Sequence, residues 1–158
     1  MTILLVPVDG SQYSVQAVRT AITLGKELRV CNLHILTVVT PLAQHMSQYL
    51  TPEKIAAFYQ EEREKAIAPV KALLASSGLE HHEVWQPGAV AKTIVDYAHS
   101  HAVNHIVMGS RGFGAVSTIL LGSVSNKVLS MTNIPVTLVK LPDESVDEVL
   151  DLIGHTPE

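Results

Sequence analysis

Apolar residues fall along this chain in short unbroken runs that alternate with stretches of helical periodicity. Ile3–Val8 is an aliphatic run without polar interruption, the pattern of a strand covered on both faces in a parallel sheet. Past the Asp9-Gly10-Ser11 break, Val15, Val18, Ile22 and Leu28 recur at helical spacing with Ala21 and Gly25 on the same face, and Ser11 is a natural N-cap. Leu33–Val39 reads as a second strand, rich in β-branched residues and closed by Thr40-Pro41. Thr51-Pro52 then sets an N-cap with proline at the first helical position. The long helix that follows carries Ile55, Phe58, Tyr59, Ile67, Val70, Leu73 and Leu74 on its apolar side. Pro69 should kink it, since proline lacks an amide donor and crowds the preceding turn, and Gly78 ends it.

The remaining elements keep the alternation. Glu83–Gln86 is a short third strand; Val90, Ile94, Val95 and Ala98 mark a third helix; His105–Gly109 is a fourth strand. A fourth helix beginning near Ser123 would present Val124, Val128 and Leu129, and residues 135–140 make a fifth strand with Pro135 at its tolerated first position. This order predicts an α/β fold: a doubly wound, five-stranded parallel sheet in the order 3-2-1-4-5, with helices on both faces. Strands one and four are then neighbours whose connections leave in opposite directions, so their carboxyl ends flank the crevice where open α/β sheets take ligands. Asp9 closes strand one and Gly109 closes strand four.

Length and composition narrow this further. At 158 residues the chain suits one domain, placed here at 1–140, followed by a tail over 141–158. All 11 Lys and Arg lie before the tail, whereas six of the 15 acids lie within it, and Val146, Val149, Leu150 and Ile153 are spaced there for a short amphipathic helix. Such a tail repels polyanions, and the seven aromatic residues avoid Lys/Arg clusters, so a nucleic-acid partner is not expected. No apolar run approaches the length of a membrane span and no export signal is visible, which with the single Cys31, read as inert packing, points to the cytoplasm. Among the eight histidines, His81 and His82 are adjacent and face opposite ways on a strand, and His99 and His101 do not face each other on a helix, so no protein metal site is expected.

The informative stretch is Gly109-Ser-Arg-Gly112, nine residues, then Gly122-Ser123, with Val124, Ser125 and Asn126 opening the next helix. Glycines let a ligand lie against the backbone, and a helix start offers unsatisfied amides and a partial positive charge to an anion. Ser123 and Ser125 add hydroxyl donors. No Asp or Glu occurs between Asp96 and Asp143, whereas Arg111, Lys127 and Lys140 fall inside that window. The spacing is neither that of a P-loop nor that of a dinucleotide fingerprint. Asp9 can serve as a helix cap with Ser11, and Ser123 as a cap or a phosphate ligand.

Val6-Pro7-Val8-Asp9-Gly10-Ser11, Gly88-Ala-Val-Ala91, Ile106-Val-Met-Gly-Ser-Arg-Gly112, Gly122-Ser-Val-Ser125 and Pro135-Val136 together resemble the universal stress protein family over residues 3–140. The pattern Gly, two residues, Gly, nine residues, Gly, Ser matches its ATP-binding members. The resemblance implies that Asp9 lies by the nucleoside, with Pro7 and Val8 shaping its wall and Val38 meeting adenine. It places Met108 and Gly109 on the nucleoside pocket and Gly112, Gly122, Ser123, Val124 and Ser125 on the phosphates, with Arg111 at the same loop. ATP is the expected cofactor, and any Mg or Mn would be carried by the nucleotide, held by phosphate oxygens and water. Phe113-Gly114-Ala115 and Val116-Ser117-Thr118 replace the basic residues commoner in this loop. The function implied is a stress-response regulator: a nucleotide-dependent switch, homodimeric through strand 135–140, read by an unknown partner protein. The alternatives are a slow ATPase or phosphotransferase, for which the loop supplies neither a water-positioning group nor magnesium-binding carboxylates, and a nucleotide-free interaction module.

Overall fold

The elements, in chain order, are β1 (Thr2–Val8), α1 (Gln12–Leu28), β2 (Cys31–Val39), α2 (Gln44–Ser47), α3 (Pro52–Ser77), β3 (Glu80–Pro87), α4 (Val90–Ser100), β4 (His105–Gly109), α5 (Ser123–Met131) and β5 (Val136–Val139). They come from a computed structural model that describes residues 1–29, 31–114 and 120–142. The expected helix of the tail, and the loop residues Val116, Ser117 and Thr118, lie outside the described residues.

Alternation along β1 builds two cores. Leu4, Val6 and Val8 turn to one face, where they pack with Ala17, Val18 and Ala21 of α1 and Ile67, Val70 and Leu74 of α3. Leu5 turns to the other face, against Ile94, Val95 and Ala98 of α4 and Val128 of α5. A strand buried on both sides has no position left for a polar residue, which is why its sequence is a run rather than an alternation. The sheet is all-parallel in the order β3-β2-β1-β4-β5. Ser11 caps α1 by accepting from the Ser14 amide, and Thr51 caps α3 by accepting from that of Lys54.

Several elements depart from the sequence expectation. β3 begins at Glu80 rather than Glu83, because its first residues are polar and lie on a sheet edge, where apolar side chains are not required. The four-residue α2 has no periodicity to announce it. Leu28 is 48% exposed at the last residue of α1, and Leu129 is 42% exposed because it points about 100° away from the Val124–Val128 stripe of α5. α3 runs unbroken through Pro69, which stands on its exposed side. Among the described residues no helix is long and apolar enough to cross a membrane.

Candidate functional site

The strand order makes the crevice. β1 pairs with β2 along its whole length, from Thr2 opposite Cys31 to Val8 opposite Thr37, but with β4 only at Leu4–His105 and Leu5–Ile106. Below, the two strands are stitched by Asn104, whose amide donates to the Ile3 carbonyl at 3.0 Å and whose Oδ1 accepts from the Ile3 amide at 2.8 Å. Toward their carboxyl ends they part, and a cavity of about 460 Å³ occupies the gap.

One side of the cavity is apolar. Pro7 and Val8 come from the end of β1, Val38 from β2, and Met108 from β4. The other side is the loop: Gly109, Arg111 and Gly112 leave β4, and Gly122, Ser123, Val124 and Ser125 return at the start of α5. Asp9 lines the cavity too, with its carboxylate beside Gly112 of the loop. All twelve candidate residues therefore border one space, although they derive from four separate stretches of sequence. A concave site with one apolar wall and one polar wall suits a ligand with a flat apolar part and an anionic part.

Asp9 is fixed by its neighbours. Its Oδ1 accepts from the Ser11 amide at 2.9 Å and from the Ser14 hydroxyl at 3.0 Å. The Asp9 carboxylate and the Ser11 cap thus operate together, so capping and site formation are not competing roles for this turn. A methyl group on Gly112 would lie 2.6 Å from Asp9 Oδ2, so the absent side chain is what lets the loop close over the carboxylate. A methyl group on Gly109 would come within 2.6 Å of Tyr13 Cβ and 2.9 Å of the Arg111 carbonyl, which makes this glycine a packing requirement between β4 and α1. Arg111 lies with its guanidinium 5.3 Å from the Tyr13 ring centroid, on the cavity border.

The start of α5 is organised by backbone. Gly122, not Ser123, occupies the N-cap position, with φ −70° and ψ 164° and no side-chain cap. Of the two roles open to Ser123, capping is therefore not the one it fills: it is the first helical residue, exposed, with its hydroxyl uncommitted to capping. The Gly122 amide donates to the Ser110 carbonyl at 2.8 Å, tying both ends of the loop together. Ser125 also differs from expectation. It is 1% exposed and its hydroxyl donates to the Gly109 carbonyl at 3.0 Å, so in this structure that donor braces α5 against β4 rather than facing an anion.

Sequence reasoning missed six lining residues: Ser14, Leu36, Val90, Ile94, Phe113 and Gly114. Leu36, Val90 and Ile94 look like ordinary core positions, and only the β2–α4 packing shows that they also wall the cavity. Ser14 had a findable signal, since a hydroxyl three residues beyond the Ser11 cap can reach back to Asp9. Phe113 is 73% exposed at the rim. Asp9 is the only carboxylate on the cavity among the described residues, and these include no group of three or more His, Cys, Asp or Glu able to hold a metal ion.

A doubly wound parallel sheet with a glycine-lined cavity at its switch point defines the class of protein. Residues 1–140 match the model of the universal stress protein family, and the chain belongs to that family. It is 32% identical over 140 residues to universal stress protein MJ0531 of Methanocaldococcus jannaschii, covering 88% of this chain and 82% of that protein. Its fold superposes with a TM-score of 0.77 on the solved structure of MJ0577 from the same organism, at 25% identity, covering 90% of this chain and 97% of that one. It also superposes on a universal stress protein solved in complex with cAMP, with a TM-score of 0.63 at 23% identity, covering 87% of this chain and 96% of that one.

Proposed function

We propose that residues 1–140 form a nucleotide-binding domain that holds ATP in this cavity, and that occupancy acts as a regulatory signal rather than as a step in a rapid reaction. The observation that carries the reading is the convergence of Asp9, the glycine-spaced loop and the first turn of α5 on one cavity with an apolar wall opposite. The adenine ring would lie against Pro7, Val38 and Met108, and the phosphates would meet the loop amides, the α5 start and the Ser123 hydroxyl. A related fold that holds cAMP supports an adenine nucleotide as the ligand class. A Mg or Mn ion would arrive on the nucleotide, since Asp9 is the only carboxylate lining the described cavity and its Oδ1 already accepts two hydrogen bonds.

The slow-ATPase alternative needs a group to orient the attacking water, and Asp9 is the one carboxylate among the described lining residues. Turnover is therefore expected well below about 1 per second, the lower end of the ordinary enzyme range. The direct test is calorimetry with Mg-ATP on the wild type and on Gly122→Val. A Cβ at Gly122 meets the Arg111 Cα at 3.3 Å, so the loop backbone must give by a few tenths of an ångström locally, while the branched side chain blocks the approach of phosphate. Loss of at least about tenfold in affinity, or about 1.4 kcal/mol, with unchanged helix content is the expected result. Unaltered affinity would remove the loop from the site.

A further inference from the structure

Four rings gather at the end of α4 farthest from the cavity. His34 of β2 lies with its centroid 5.5 Å from His82 of β3, 5.8 Å from Tyr97 of α4 and 6.1 Å from His101, the residue that ends α4. Tyr97 and His101 are stacked at 3.9 Å. His34 Nδ1 is 2.9 Å from the Tyr97 hydroxyl, and His101 Nδ1 donates to the Tyr97 carbonyl at 3.0 Å. These contacts fasten the last turn of α4 to β2, beside the β3 edge. Tyr97 itself is only 3% exposed.

Charge has few counterparts here. β1 presents Leu5 opposite His34, and β2 presents buried, neutral Asn32 two residues back on the same face. α4 supplies Tyr97 and His101, and β3 supplies His82, whose Nε2 is 3.5 Å from the exposed Glu80 carboxylate. Among the described ion pairs, Glu80 is the one acid set against these rings, and it meets His82. Burial, then the proximity of His82 and His101, pushes His34 below its ordinary value of 6.5, while burial pushes the Tyr97 phenol up and keeps it neutral. The unfolded chain therefore takes up the His34 proton more readily than the folded one. The stability this site contributes is present above about pH 6.5 and is lost as pH falls through the lower folded-state value.

The same helix reaches the cavity. Val90 and Ile94 of α4 line it, and the α4 N-terminus has no side-chain cap to hold it independently of its packing. We propose that His34, wedged among His82, Tyr97 and His101, is a proton-sensitive latch between β2 and α4, which loosens on acidification and so weakens nucleotide binding at the helix's other end. The coupling rests on the nucleotide reading; the latch does not.

The test uses the full chain at about pH 7.5 and about pH 5.5, on either side of the imidazole range. Hydrogen exchange, corrected for intrinsic rates, should show α4 losing protection on acidification by at least about fivefold more than α1. Mg-ATP affinity should fall by about fivefold more in the wild type than in His34→Asn, which offers Tyr97 an amide without a titratable charge, or in His101→Gln. Subtracting the variants removes the titration of the nucleotide itself. His101 is exposed, so its variant serves if the His34 variant fails to fold. Equal pH dependence in wild type and variants, or α4 protection that does not change, overturns the latch. Absence of Mg-ATP binding at both pH values defeats the nucleotide reading instead, and the exchange data then decide the latch alone.

Discussion

Asp9 and Gly112 act as a pair, and neither role is visible from one residue alone. The carboxylate is held by the Ser11 amide and the Ser14 hydroxyl, and Gly112 leaves the space its other oxygen occupies. Gly112→Ala should push Asp9 off both partners and cost about 1–2 kcal/mol in urea denaturation, the worth of one or two such hydrogen bonds. In an Asp9→Ala background the same substitution should cost much less, because the atom it strikes is gone; additive costs would show that the contact is not the cause. The glycines were legible in the sequence because their spacing is set by backbone approach, which no side chain can replace. Ser125 was legible as a polar residue of the helix start but not in its hydrogen bond to Gly109, which exists only once α5 has docked on β4. Val90 and Ile94 were legible as core and not as site, since apolar periodicity cannot distinguish a wall facing a void from one facing another side chain.

The same limit applies to whole elements. α3 stays helical through Pro69, and the consequence of the missing amide appears at a neighbouring turn on the same face of the sheet. Proline at position 69 cannot donate to the carbonyl four residues earlier, that of Lys65. That carbonyl is the atom against which Gly10 packs: a Cβ at Gly10 would lie 2.5 Å from it, and Gly10 has φ +83°. The notch in α3 thus receives the β1–α1 turn that carries Asp9. Gly10→Ala meets both a backbone clash and a left-handed conformation, so it should cost at least about 2 kcal/mol and lower the thermal midpoint by several degrees. A shift under about one degree in scanning calorimetry would show that α3 yields at this point. Long elements such as α1, α3 and β1 were readable because periodicity accumulates over their length. α2 and the first residues of β3 were not, being respectively too short and too polar to carry a pattern.

For the whole molecule, the two sheet edges are unequal, and that inequality argues for the proposed homodimer through residues 135–140. β3 exposes Glu80, His82 and Glu83, and its Trp85 is covered by Tyr59, 5.6 Å between centroids, and by the Arg63 guanidinium at 4.8 Å. Charges and a covering helix are how an edge strand avoids further pairing. Among the described residues β5 shows neither defence: its sequence is Val-Thr-Leu-Val, and exposed Leu129 and Met131 lie on the preceding helix, α5. The Pro135 and Val139 carbonyls accept from Ile106 and Ser110 at 2.9 Å, so the alternating residues Val136 and Leu138 turn their backbone groups to the open side. Pairing there with a second copy would satisfy those groups and extend the sheet across a two-fold axis. Val136→Pro removes an outward amide without touching the ladder to β4, a position where an edge strand tolerates proline. Sedimentation at micromolar concentration should therefore give twice the chain mass for the wild type and the single-chain mass for Val136→Pro, with circular dichroism unchanged. A wild-type monomer, or a variant that still pairs, would place the contact elsewhere on the surface.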